Sequence, residues 1–405
     1  MTDQTDQLVG LTDTFRTNFG GADPSHLIRA PGRVNLIGEH TDYNGLPVFP
    51  IAIQYAISIL SRRRSDSRVH LVNRDAQFDA VEFELGEDIP HSPPGHWGNY
   101  VKAAAQALHR DHGVRHGFDG VLESTVPVAT GLSSSSALVV SSGLTLLEHH
   151  GTTADRMQLM DEFARAEVYV GTKSGGMDQA ICVGAKPGNA CRIDFAPLRL
   201  QHVPVPDGWA FVVASTLIRA EKSGAAKAAY NQRTEECRAA LDAVCSALDG
   251  KRRKNYAALM SGRSVQELLA VADRALDTPL LERFRHVVTE ADRLAQAIDA
   301  MHRNEPAHFG RLMVGSHESL RDDYEVSCPE LDELVELSMA AGAHGARLTG
   351  AGFGGCMVAL TAADQAADLL AALAEGFYTS RLDRPPTARD LFIAVPSGGA
   401  SSTTV

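Results

Sequence analysis

Six consecutive residues, Gly131-Leu132-Ser133-Ser134-Ser135-Ser136, constrain the fold of this chain more than any other segment. They follow a strand-like run at 120–128 and open a helical run at 136–149, SALVVSSGLTLLEH. A strand that turns through glycine and small hydroxyl residues into a helix leaves the first backbone N–H groups of that helix without partners. The helix dipole then favours an anion such as a phosphate there. A serine hydroxyl in such a loop can also ligate Mg²⁺, which takes oxygen donors and shares them with substrate phosphates. The simpler alternative is a serine N-cap in a polar loop. No G-x-x-x-x-G-K-[ST] pattern occurs, so a nucleotide site here is not a Walker P-loop.

Three further segments concentrate chemistry. Gly350, Gly352 and Gly355 satisfy G-x-G-x-x-G, but they run into the strand-like CMVAL rather than opening a helix, which excludes the dinucleotide reading. The loop permits close backbone approach to a ligand or to the serine run, and otherwise reads as a tight hairpin. The segment 33–44, RVNLIGEHTDYN, places Arg33, Glu39, His40 and Asp42 beside Gly38 between apolar strands. That suits a polyhydroxylated ligand such as a sugar, or else a solvated turn; His40 has no second histidine at a metal-ligating helical spacing. Finally, Gly175-Gly176-Met177-Asp178-Gln179 is a glycine-flanked acid that would by itself read as a capping aspartate in a turn. A phosphate cradle, a hydroxyl-binding loop, an aspartate and an arginine are together the parts of a sugar kinase, because phosphoryl transfer rests on positioning and charge stabilisation.

The frame for these segments is an α+β protein. Its 405 residues allow two or three domains. The alternation of runs indicates two lobes split near residue 204, the second dominated by helices at 225–248, 264–275 and 281–302, whose charged runs read as solvated faces. We assign residues 1–203 and 204–395 to the lobes and expect 396–405, PSGGASSTTV, to be a disordered tail. Fifty acidic against 38 basic residues give a net charge of −12, which excludes non-specific coating of nucleic acid or anionic membrane. The six cysteines form no C-x-x-C pair and read as reduced core thiols. With no basic-then-apolar leader and no run near the roughly 18 apolar residues of a membrane span, the expectation is a soluble cytoplasmic protein.

Residues 29–44, RAPGRVNLIGEHTDYN, resemble the galactokinase signature; 130–138, TGLSSSSAL, resemble the ATP-binding motif of the GHMP kinase superfamily, and 347–356, RLTGAGFGGC, its third motif. WGNYVKA, GGMDQ, YNQRTEEC and SHESLRDDYEVSCPELD stand in galactokinase order, so the resemblance runs from about residue 12 to 395. It implies a two-lobed GHMP kinase fold, with an N-terminal lobe like the second domain of ribosomal protein S5 and a ferredoxin-like C-terminal lobe. ATP, Mg²⁺ and a sugar are the implied ligands, with no nucleic acid or membrane partner and with a monomer acceptable. By motif position Asp178 is similar to the catalytic base toward the sugar C1 hydroxyl and Arg33 to its charge-stabilising partner. Glu39, His40, Thr41, Asp42, Gly175 and Tyr230 match sugar-contacting positions. Ala129, Thr130, Gly131, Leu132, Ser133, Ser134, Ser135, Gly350 and Gly352 match the nucleotide site, with Ser135 and Glu167 as metal ligands. The spacing from Glu167 to Asp178 is one residue shorter than the family's usual one.

Several departures bear on the acceptor. Ala129 stands where the family usually has glycine, the serine run continues Ser136-Ala137-Leu138-Val139, and Thr172-Lys173-Ser174-Gly175-Gly176 replaces the usual Cys-Gly-Ile. These details and FAPLR at 195–199 resemble the branch containing N-acetylgalactosamine kinases, whereas Tyr230 is the aromatic of galactokinases. Galactose is the first expectation and N-acetylgalactosamine the alternative. A non-catalytic sugar and ATP sensor, also found among relatives, is disfavoured by the uninterrupted serine run with Arg33 and Asp178 both present. A GHMP kinase for mevalonate or homoserine leaves GEHTDYN unexplained.

Overall fold

The computed structural model describes residues 2–21, 23–127, 131–171, 175–195, 197–218 and 225–405. Helix α1 (Thr2–Phe19) precedes strands β1 (His26–Asn35), β2 (Pro50–Arg63), β3 (Arg68–Asn73) and β4 (Val81–Glu84). Then come α2 (Gly98–His112), β5 (Phe118–Ser124), α3 (Ser134–His150), α4 (Arg156–Ala166) and α5 (Met177–Gly184). The hairpin β6 (Asn189–Phe195) and β7 (Leu198–Pro204) leads to β8 (Trp209–Ser215). The helical region comprises α6 (Ala225–Leu248), α7 (Tyr256–Met260), α8 (Val265–Ala275), α9 (Leu280–His302), α10 (Pro306–Asp322) and α11 (Pro329–Ala340). The chain closes with β9 (Gly345–Thr349), β10 (Cys356–Ala362), α12 (Ala366–Leu373), β11 (Leu391–Ala394) and β12 (Ser401–Thr404).

Two larger sheets organise these elements. The first runs β12-β1-β2-β5-β3-β4, antiparallel except for the β3–β5 pair, and the second runs β11-β8-β10-β9 and is antiparallel throughout. β2, PIAIQYAISILSRR, is rich in the β-branched residues that favour a pleated, half-buried surface. Helix α3 lies on β1 and β2 and packs against α2 and α5; Ala137, Val139, Val140 and Leu146 on it are wholly buried. Each of its buried Val or Leu side chains contributes about 1.5–3 kcal/mol relative to exposure, which pins the serine-rich start of α3 against the first sheet. The helices of the second half begin on recognisable signals: a capping box between Ser264 and Glu267 on α8, and proline in the first turn of α10 and α11.

Two expectations are corrected. The tail is not disordered: Ser401–Thr404 pair antiparallel with β1, and Ser397, Gly399 and Ala400 donate backbone N–H groups to Ala52, Ala185 and Cys182. A composition-based reading sees only glycine and serine there, whereas the open edge of β1 supplies the hydrogen-bonding partners that order the segment. Helix α1 buries Leu11 and Phe15, spaced i and i+4, with Leu60 and Val121. The charged residues of α9 are not all solvated: Arg283, His286 and Glu290 are buried. The larger core cluster also crosses residue 204, joining Leu294, Ile298, Phe309 and Met313 to the side chains beneath the first sheet.

Candidate active site

Arg33 and Asp178 meet in the interior. Arg33 sits on β1 and Asp178 in the first turn of α5, whose N-cap is Gly176 in a left-handed conformation, so Asp178 is not the cap that an isolated aspartate in a turn suggests. The Arg33 Nε–H donates to Asp178 Oδ1 at 2.8 Å, and both side chains are nearly buried. The Arg33 guanidinium also donates through Nη1 to the Gly131 carbonyl, and its backbone N–H to the Leu132 carbonyl at 3.1 Å. One arginine therefore ties the aspartate to the loop that starts α3.

That loop is shaped by Gly131 at φ +78° and by Ser133, a non-glycine N-cap at φ +61°. Left-handed backbone at a side-chain-bearing residue costs about 1–2 kcal/mol and persists where the surroundings hold it, as at ligand sites. Ser133 makes no capping hydrogen bond, and its buried Oγ has no partner. An uncapped helix start with an unspent buried hydroxyl fits a ligand that brings its own oxygen atoms better than a self-sufficient N-cap. Ser134 and Ser135 follow in the first turn of α3, while Ala129 and Thr130 lie outside the described residues.

Glu167 is buried just after α4, and it accepts a hydrogen bond from Ser136 Oγ at 2.6 Å; Ser136 in turn accepts one from Gln179 Nε2 at 3.1 Å. Ser136, the residue after Ser135, thus orients this carboxylate. A carboxylate and serine hydroxyls at a helix start are hard oxygen donors of the kind Mg²⁺ accepts alongside phosphate oxygens. No group of three His, Cys, Asp or Glu suited to a metal occurs among the described residues.

The loop from Gly38 to Asn44 forms the third wall. Glu39 is buried, accepting from Arg347 Nη2 at 3.1 Å and from the Gly350 N–H at 3.0 Å. Burial pushes its carboxyl up, against the opposing pull of Arg347 and Arg33. His40, at φ +60°, has its Nδ1 2.9 Å from the Tyr43 hydroxyl, and burial lowers the imidazole to about 3, so it is a neutral hydrogen-bonding group at physiological pH. Thr41 spends its hydroxyl on the loop itself, within reach of the Gly38 and Pro47 carbonyls at 2.9 and 2.8 Å. Asp42 is half-buried, and burial followed by the charge of Asp178 pushes its carboxyl up to about 6. Gly175 lies so close that an added Cβ would stand 2.4 Å from Asp42 Cγ and from the Tyr43 nitrogen. Tyr230 reaches the same loop from α6, its ring centroid 5.7 Å from that of His40 and 5.5 Å from that of Tyr43.

The glycine segment after β9 closes the arrangement. A Cβ on Gly350 would stand 2.8 Å from the Gly131 carbonyl oxygen, so the second glycine loop packs directly on the serine loop. Gly352 instead packs on Val326, where a Cβ would meet the carbonyl oxygen at 2.2 Å. The loop joins two antiparallel strands, in agreement with the exclusion of a dinucleotide site. The sequence reading missed three residues of this network: Arg347, His286 and Glu290. Arg347 lies within the third motif and was passed over for its glycines; His286 and Glu290 stand in a helix with no motif, and only their spacing with Leu294 signals a buried stripe.

Residues 13–63 match the family model described as the galactokinase galactose-binding signature, 99–186 that of the GHMP kinases N terminal domain and 297–379 that of the GHMP kinases C terminal. The chain is similar to the galactokinase of Chloroflexus aurantiacus, at 40% identity over 375 residues and 92% of each chain. It is similar to the galactokinase of Bos taurus, at 39% identity over 370 residues, covering 88% of this chain and 89% of the relative. Among solved structures, the Lactococcus lactis galactokinase complexed with galactose superposes with a TM-score of 0.88 at 33% identity, covering 98% of this chain and 99% of that one. A mevalonate kinase structure superposes at a TM-score of 0.61 and 17% identity, a likeness of fold alone.

Proposed function

The chain belongs to the galactokinase family of the GHMP kinases, and from that premise we propose that it transfers the γ-phosphoryl group of ATP to the anomeric hydroxyl of galactose, giving galactose 1-phosphate and ADP. The observation that carries this reading is the buried Arg33–Asp178 pair, placed between the loop of Glu39, His40 and Asp42 and the uncapped start of α3.

In this scheme the sugar lies against residues 39–43, Gly175 and Tyr230. The neutral His40 and the carboxylates of Glu39 and Asp42 read its hydroxyls, and the absence of a side chain at Gly175 leaves Asp42 its place. Asp178 orients the anomeric hydroxyl and accepts its proton as the bond to phosphorus forms. Arg33, hydrogen-bonded to Asp178 and to the Gly131 carbonyl, limits charge build-up where the two reactants meet. The N–H groups at the start of α3 and the Ser133 hydroxyl receive phosphate oxygens. Ser135 and Glu167 would hold Mg²⁺, which when bound neutralises charge on the phosphates. Free cysteines, five of them buried, fit a reducing cytoplasm, and no helix among the described residues is long and apolar enough to cross a membrane.

Galactose is the proposed acceptor on the strength of Tyr230; the departures around Ser136 and 172–176 keep N-acetylgalactosamine as the competing one. The test is kcat/KM for ATP-dependent phosphorylation of the two sugars side by side, with an Asp178→Ala control. Higher kcat/KM for galactose with a dead control supports the reading. A preference for N-acetylgalactosamine reassigns the acceptor, and no turnover with either sugar sinks the kinase assignment.

A further inference from the structure

The sugar loop is held from the opposite lobe as well as by its own. Two of its backbone N–H groups, those of Gly38 and Glu39, donate to Glu290 Oε1 at 2.9 and 3.2 Å, and the Glu39 carbonyl lies 3.2 Å from His286 Nε2. Gly38, at φ +86°, is packed so closely on α9 that a Cβ there would stand 2.4 Å from Leu294 Cδ1. His286, Glu290 and Leu294 are spaced i, i+4, i+8 and form one stripe of α9, each wholly buried. Glu290 is the centre of that stripe. Its Oε1 also accepts from Ser316 of α10 at 2.7 Å, and its Oε2 from Arg293 Nε at 2.8 Å. Burial alone would raise this carboxyl; Arg293 and the other donors outweigh it and hold it down to about 2, so the group is a permanent anion at physiological pH.

We propose that Glu290 is a positioning residue for the sugar site, fixing residues 38–40 from the opposite lobe so that the side chains of Glu39 and His40 face the acceptor. It touches no reactant, and it lies outside every motif that identifies the family. The placement is economical in physical terms: a carboxylate with four converging donors has one geometry, so loop and helix move as a unit. The proposal rests on the reading of residues 39–42 as sugar contacts.

The test uses Glu290→Gln. Glutamine keeps the shape of the side chain, but donors converge on both oxygens, so whichever way the amide turns an NH₂ group meets a donor. The expected result is a galactose KM raised about tenfold, as for loss of a charge-assisted hydrogen bond, with ATP KM unchanged and kcat within about twofold of wild type. A general packing defect would lower the melting temperature and depress both substrates' parameters together. Ser316→Ala is the milder second variant, removing a single donor from Oε1, and its expected effect is a smaller rise confined to galactose KM. An unchanged galactose KM in a folded Glu290→Gln or Ser316→Ala protein overturns the proposal, as does an equal loss for ATP. If the wild-type enzyme fails to turn over galactose, it is the assignment of the sugar site that falls.

Discussion

Arg33 and Asp178, 145 residues apart in the chain, share a 2.8 Å hydrogen bond between guanidinium Nε and carboxylate Oδ1 in the interior of the molecule. Neither charge is neutralised by solvent to any useful extent, so each depends on the other. Replacing Asp178 by Asn keeps the volume and removes the proton acceptor. Galactose-dependent ATP consumption should fall by about 10²–10⁴-fold, the usual worth of a positioned acid–base group. Near-normal turnover by Asp178→Asn would show that the carboxylate only positions the acceptor.

Asp42 offers a separation of stability from function. Its carboxyl is pushed up to about 6 in the folded protein, above its ordinary value of 3.8, first by burial and then by Asp178. Its negative charge is therefore a cost to the fold: absent below pH 3.8, growing as pH rises through about 6, and complete above that. Asp42→Asn should raise the melting temperature at pH 8 by about 2 °C or more and give no gain at pH 4. The same substitution should weaken galactose binding. Equal melting shifts at the two pH values would argue against the charge as the cause.

Gly350 is the joint between the glycine loop, the serine loop and Glu39. Its N–H reaches Glu39 Oε2 at 3.0 Å, its φ is +87°, and a Cβ would stand 2.8 Å from the Gly131 carbonyl oxygen. Gly350→Ala meets both strain and backbone collision, so we expect a loss of about 1–3 kcal/mol of stability and a displaced serine loop. Thermal unfolding and ATP KM read the two effects; a variant with wild-type melting and ATP KM would show that the loops are not coupled there.

Ser136 hydrogen-bonds the buried Glu167 at 2.6 Å and receives Gln179, the neighbour of Asp178, at 3.1 Å. Removing the hydroxyl by Ser136→Ala should leave Glu167 less well oriented. The midpoint of the Mg²⁺ titration should rise by about tenfold, as for other residues that orient a metal-binding carboxylate, while kcat at saturating Mg²⁺ changes little. Direct Mn²⁺ binding in the presence of a non-hydrolysable nucleotide checks the same shift without turnover. An unmoved midpoint in both measurements removes Glu167 from the metal site.

Much of the candidate site was legible along the chain. The serine run before α3, the glycine turn between β9 and β10, the loop at 33–44 and the aspartate after Gly176 each announce themselves through local rules, because helix starts, tight turns and backbone approach depend on neighbouring residues. The amphipathic helix read at 281–302 follows for the same reason. Local reading failed where a segment's fate is set by what lies across from it. The tail looks unstructured until the edge of β1 is available to it, and α1 looks merely polar until Leu11 and Phe15 find Leu60 and Val121. Glu290 is one of four acids on its helix, and nothing within α9 says that two loop N–H groups 252 and 251 residues earlier will converge on it.

By itself, then, the order of residues determined the kinds of local structure, the chemistry on offer and the family to which the chain belongs. Tertiary structure alone decided which groups meet: Arg33 with Asp178, Ser136 with Glu167, and the sugar loop with a helix of the other lobe. Local conformation depends on interactions over a few residues, while the pairing of buried charges depends on which faces pack. That packing follows from the burial of two cores built from residues spread along the whole chain.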